Sequence, residues 1–245
     1  SPQAISSLRD VLMNDTEANV RVNAAWALGE MKAYSSLNTL QHVAVLDSDQ
    51  SVRRTAADSI ARLRSRIAGA AGVNERELSA FAVASSDSNQ VYLATRRDLI
   101  VSGDGGKTWL IHPNSLPSLV TTLAVNSLDP QILYVSADGM GLFKSEDGGV
   151  TWSAINTGLG LMPGARFSVT AIAMDATNPE RLFVTTGVWI GTSHVEFFSI
   201  NVMHSVDSGA TWQVYQKSTN VLPITQLAIK GERLYALAGE RVLIY

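Results

Sequence analysis

Three aspartates occupy nearly the same eight-residue surroundings. Asp104 lies in Ser102–Trp109 (SGDGGKTW), Asp147 in Ser145–Trp152 (SEDGGVTW) and Asp207 in Ser205–Trp212 (SVDSGATW). A carboxylate among hydroxyls and glycines could ligate a hard cation or serve as a general acid or base. Calcium takes about 6–8 oxygens, usually with several carboxylates, and each copy offers one. A catalytic group is needed once per site, yet the phrase is written three times, 43 and 60 residues apart. The pattern is therefore that of a repeated structural corner. The Asp carboxylate bonds the backbone N–H groups of its own turn. Gly106, Gly149 and Gly209 supply positive φ. Trp109, Trp152 and Trp212 open the next strand and cover the turn. Ser102, Thr108, Ser145, Thr151, Ser205 and Thr211 complete the three copies.

Other chemistry-bearing residues are sparse. The chain has no cysteine, which excludes disulfides, zinc–cysteine sites and thiol catalysis. His194 and His204 are ten residues apart and lack a third ligand at a metal-like spacing, so no metal and no cofactor is expected. Arg96, Arg97, Arg166 and Arg241 fall in predicted turns at one end of the strands. They read either as an anion-binding cluster or as solvated surface arginines, and the second is the simpler reading.

The elements that must position these residues fall into two classes. Up to about residue 68 the pattern is helical. Ile5, Leu8, Val11 and Leu12 form one stripe, and Val22, Ala25, Trp26 and Gly29 another. The pattern then recurs with a period of 32: Leu8 matches Leu40, Asp15 matches Asp47, Arg21 matches Arg53, and Ala24-Ala25 matches Ala56-Ala57. Such a period holds a pair of short helices, the unit of an α-solenoid. A Gly/Ala-rich linker covers 69–77. From Leu78 onward the period becomes strand-like, with short β-branched and aromatic runs cut by Asp, Asn and Gly. The same four-strand grammar recurs over about 78–115, 119–156 and 168–217, and starts again at 222–245. Four-stranded units at this spacing predict a β-propeller. The expected fold is thus multidomain, α and β: a short α-solenoid at 1–68 and a partial propeller at 78–245, three blades and part of a fourth.

The helical residues "DTEANVRVNAAWALG" and "DSDQSVRRTAADSIA" resemble HEAT-like repeats of the phycobilin-lyase type. The phrase S-x-D-x-G-x-T-W resembles the Asp-box, or bacterial neuraminidase repeat, of sialidase, sortilin-type and photosystem II assembly factor propellers. That resemblance implies Asp-boxes at the blade periphery, away from a ligand face. It leans the compartment towards an extracytoplasmic one, as does the start at Ser1 rather than Met, although the location itself is not legible. The incomplete fourth unit leads to the expectation that the native product extends past Tyr245; two helical repeats are fewer than a solenoid usually needs, so either more repeats precede Ser1 or the pair docks on the strand-rich half.

Sialidases of the resembled family use an arginine triad, a tyrosine nucleophile with a glutamate, and an aspartate acid/base. Their early Arg-Ile-Pro signature is absent here. The predicted ligand face offers mainly Asp98, Asp138, Glu196 and Glu240, from separate units, so no catalytic residue is assigned. The third unit is 17 residues longer than the second, and most of the excess lies around "GVWIGTSHVEFFSIN". Elaborated connections tend to be functional. Trp189, Ile190, Phe197 and Phe198, with the four arginines, form the candidate partner-binding set; the alternative is longer strands packing within the fold. Two non-catalytic binding architectures in one chain point to a protein–protein interaction or scaffold protein, an accessory or assembly subunit of a larger complex. The competing reading is a carbohydrate-binding or sialidase-like propeller, with a glycan or an anion as ligand. With a net charge of −3 and no apolar run near 20 residues, neither a nucleic-acid partner nor a membrane span is expected.

Overall fold

The computed structural model describes residues 2–113, 115–160, 166–190, 196–217 and 223–245. Four helices come first: α1 (Pro2–Asn14), α2 (Ala18–Glu30), α3 (Leu37–Leu46) and α4 (Gln50–Ala70). A short 3₁₀ turn at Tyr34–Ser36 precedes α3. Asp49 caps α4, accepting from the Ser51 and Val52 amides at 2.7 and 3.4 Å, which satisfies two donors that a helix start leaves free. The two helix pairs are linked by charge. Arg21 forks onto Asp47 with Nε and Nη2 each 2.8 Å from a carboxylate oxygen, and donates to the Asp15 carbonyl at 2.9 Å. Both side chains are mostly buried, so this bidentate bond is shielded from water.

Helix α2 is apolar over much of its circumference, so periodicity alone does not choose its inner face. The buried stripe is Ala24, Ala25, Leu28 and Gly29, and Trp26, expected on that stripe, points outward at 54% exposure. The reason is steric. Helix α4 crosses so close that a Cβ on Gly29 would lie 2.8 Å from the Ser59 Cβ, and an indole has no room on that face.

Fifteen strands follow among the described residues, in four antiparallel sheets with strands in sequence order. Sheet 1 holds β1 (Ala80–Val83), β2 (Val91–Ala94), β3 (Leu99–Ser102) and β4 (Leu110–His112). Sheet 2 holds β5 (Val120–Val125), β6 (Leu133–Ala137), β7 (Gly141–Ser145) and β8 (Ser153–Ala154). Sheet 3 holds β9 (Arg166–Met174), β10 (Leu182–Ile190), β11 (Glu196–Ser205) and β12 (Gln213–Lys217). Sheet 4 holds β13 (Ile224–Lys230), β14 (Arg233–Ala238) and β15 (Arg241–Ile244). Helical repeats followed by consecutive antiparallel sheets are consistent with a partial propeller behind a helical unit. The first strands pack side by side in the order β1, β5, β9, β13, and α3 touches both β13 and β1.

A common bond joins sheet 2 to sheet 3 and sheet 3 to sheet 4; Ser79, at the same position of sheet 1, donates to the Ala94 carbonyl of its own sheet instead. Thr121, second residue of β5, donates to the Val169 carbonyl of β9 at 3.0 Å. Thr170, fifth residue of β9, donates to the Ile224 carbonyl of β13 at 2.6 Å. Further out, Tyr92 donates to the Pro130 carbonyl at 2.7 Å, tying sheet 1 to sheet 2. Apolar clusters fill the spaces between sheets, and one of them runs from the helices (Leu37, Ile67, Ala68) into sheet 1 (Leu78, Val91, Leu93, Ile100).

Close packing at Gly29 and open space at Gly69 give opposite expectations for the same substitution. Gly29→Ala should destabilise by about 1–3 kcal/mol because Ser59 and the α4 backbone must move. Gly69→Ala, with nothing within 4 Å of the new methyl, should stabilise by up to about 1 kcal/mol through helix propensity. Paired denaturant melts followed by far-ultraviolet circular dichroism would check both signs.

Candidate functional site

The three aspartate corners share one geometry. In the first, Ser102 donates to Asp104 Oδ1 at 2.8 Å and accepts from the Gly106 amide at 2.8 Å. The same carboxylate oxygen takes the Lys107 and Thr108 amides, each at 2.9 Å, and Oδ2 takes the Thr108 hydroxyl at 2.7 Å. Asp147 accepts from Ser145, the Val150 and Thr151 amides, and the Thr151 hydroxyl. Asp207 accepts from Ser205, the Thr211 amide and the Thr211 hydroxyl. In each copy the Trp ring stacks on the corner glycine, 3.2–3.4 Å from where its Cβ would be. Every oxygen of these carboxylates accepts at least one hydrogen bond from within its own turn. Hydrogen bonds favour the charged form, so all three acids are held low. Asp147 lies at about 2, first through the Thr151 hydroxyl, and Asp207 at about 2, first through Ser205. Among the described residues no group of three His, Cys, Asp or Glu could hold a metal ion.

The opposite ends of the sheets carry the candidate binding residues. Arg96 and Arg97 are exposed in the β2–β3 turn, and Arg241 is exposed at the start of β15. Arg166 is different. Its guanidinium forks onto Asp138 of the β6–β7 turn, with Nε 3.0 Å from Oδ2, and lies 5.7 Å from the centre of the Trp189 ring. Asp138 raises its pKa through that hydrogen bond. Its charge is thus paired with Asp138, although the side chain stays 57% exposed. The arginines are distributed over three sheets; the anion-cluster reading has no assembled site behind it.

The enlarged third unit takes the form of longer strands. β10 spans nine residues and β11 ten, against five each for β6 and β7. They run on as a ribbon in which Val188 pairs with Phe198 and Trp189 with Phe197. Val188 is buried, but Trp189, Ile190 and Phe198 are 36, 56 and 43% exposed. The Phe197 side chain, the 191–195 tip with His194, and residues 161–165 of the preceding connection lie outside the described residues. Exposed apolar side chains therefore mark both faces of this end of sheet 3, Ile190 and Phe198 on one and Trp189, beside the Arg166–Asp138 pair, on the other.

A cavity of 680 Å³ lies between the four inner strands and α3. Among the described residues its wall carries hydroxyls, amides and apolar groups; the ionisable side chains on it are His42 and Arg64, with no carboxylate. Burial pushes the two most enclosed tyrosines, Tyr92 and Tyr134, up to about 12, and their hydroxyls donate to backbone carbonyls. Neither is placed to be a nucleophile. The Arg166–Asp138 fork and the α3 wall of the cavity were missed by sequence reasoning. The Asp138-Gly139 turn pointed at the first, but nothing local points at the second.

The aspartates set an acid limit. A carboxylate held at about 2 in the fold and at its ordinary 3.8 when unfolded contributes stability above 3.8, which is lost as pH falls through 2. Thermal melts should therefore fall steeply between those values. An Asp147→Asn, Asp207→Asn variant should melt lower at neutral pH and show a shallower acid slope.

Residues 5–87 match the HEAT repeats family, which is about a third of the chain. No curated protein matches the sequence. Two solved structures share the fold of the strand-rich part: an ancestral GH74 enzyme (TM-score 0.52, 18% identity, 69% of this chain and 22% of that one) and the GH74 enzyme of Niastella koreensis (TM-score 0.51, 19% identity, 68% of this chain and 27% of that one). This chain thus spans about a quarter of the length of those enzymes, and its N-terminus carries HEAT repeats ahead of sheets that share their fold.

Proposed function

We propose that this chain is a non-catalytic interaction or scaffold protein, an accessory or assembly subunit that binds protein partners through the sheet 3 ribbon and the helical repeats. The fold in this reading is a HEAT-like unit at 1–68 joined by a short linker to an Asp-box propeller at 78–245. The observation that carries it is the carboxylate-free cavity. Glycoside hydrolysis needs two carboxyl groups facing one sugar, about 5–10 Å apart. The aspartates that recur most clearly are consumed by their own turns. What remains available is apolar surface on the two faces of the ribbon, Trp189 on one and Ile190 with Phe198 on the other, and large exposed apolar and aromatic side chains of this kind anchor protein interfaces.

A carbohydrate-binding role is the second reading, favoured by one observation: the GH74 enzymes share this fold. An exposed indole beside an arginine could also stack on a sugar. The two part in a direct comparison. The chain and a Trp189→Ser, Ile190→Ser, Phe198→Ser variant are immobilised and presented with extract from the source organism and with a panel of oligosaccharides. The interaction reading expects one protein retained at a fixed stoichiometry and lost by at least about tenfold on the variant, matching the loss of hot-spot residues. Saturable oligosaccharide binding by the chain, or release of reducing ends, would replace it with the second reading.

A further inference from the structure

We draw no further inference here: the strongest candidate, the outward apolar face of α2 and its C-cap, on which Val20 and Met31 are 39 and 40% exposed where their counterparts in α4, Val52 and Leu63, are buried, carries nothing because nothing in the structure shows what covers it.

Discussion

The structure rests on a problem of edges between sheets. A four-stranded sheet of this kind is apolar on both faces and cannot stand alone; each must be covered by a neighbour on either side. Here the covering is specified by a small set of groups that recur with the sheets. A threonine hydroxyl on an inner strand reaches the main-chain carbonyl of the next, as Thr121 does to Val169 and Thr170 to Ile224. A tyrosine on the second strand reaches a loop carbonyl of the next sheet, as Tyr92 does to Pro130 and Tyr134 to Ser208. The corner glycine of each following sheet closes on an aliphatic side chain of the one before. These bonds are short-range and directional, so they set how far one sheet is displaced from the next, while the apolar clusters supply the area. Where the series of sheets begins, the same carbonyl and the same glycine still need partners, and Arg64 and Tyr34 supply them. The helical repeats are thus a structural neighbour of sheet 1 in addition to whatever surface they present outward.

This view separates residues that recur for architecture from those that do not recur at all. The aspartate corners are the most conspicuous pattern in the sequence, and their chemistry is turned inward. A carboxylate that accepts two amides and two hydroxyls from within five residues is held ionised and has little left for a ligand. Residues that appear once are where recognition would lie. Trp189, Ile190 and Phe198 have no counterparts in sheets 1 and 2, whose second and third strands end sooner. Lengthening both strands of a hairpin together keeps every new backbone group paired, which is how a sheet can extend apolar side chains into solvent without leaving orphan donors.

The order and type of the elements were legible because both signals are local. The 32-residue recurrence of Asp, Arg and Ala-Ala marks helix pairs, and the strand runs punctuated by Asp, Asn and Gly mark four sheets. Less was legible where a choice depends on a distant neighbour. Trp26 has the spacing of an inward residue, but the approach of α4 at Gly29 decides its direction. Arg166 has the composition of an anion site, but Asp138, 28 residues earlier, takes its charge. The excess of the third unit could have been a loop or a longer ribbon; alternation of Val188 with exposed Trp189 is compatible with either until the partner strand is placed.

The position of α3 between β13 and β1 is the element least visible from sequence, and it explains the character of the cavity. An inner strand would present alternating side chains to the cavity; a helix presents Asn38, Thr39, Gln41 and His42 along one side. The cavity wall thereby gains amides and an imidazole and gains no carboxylate.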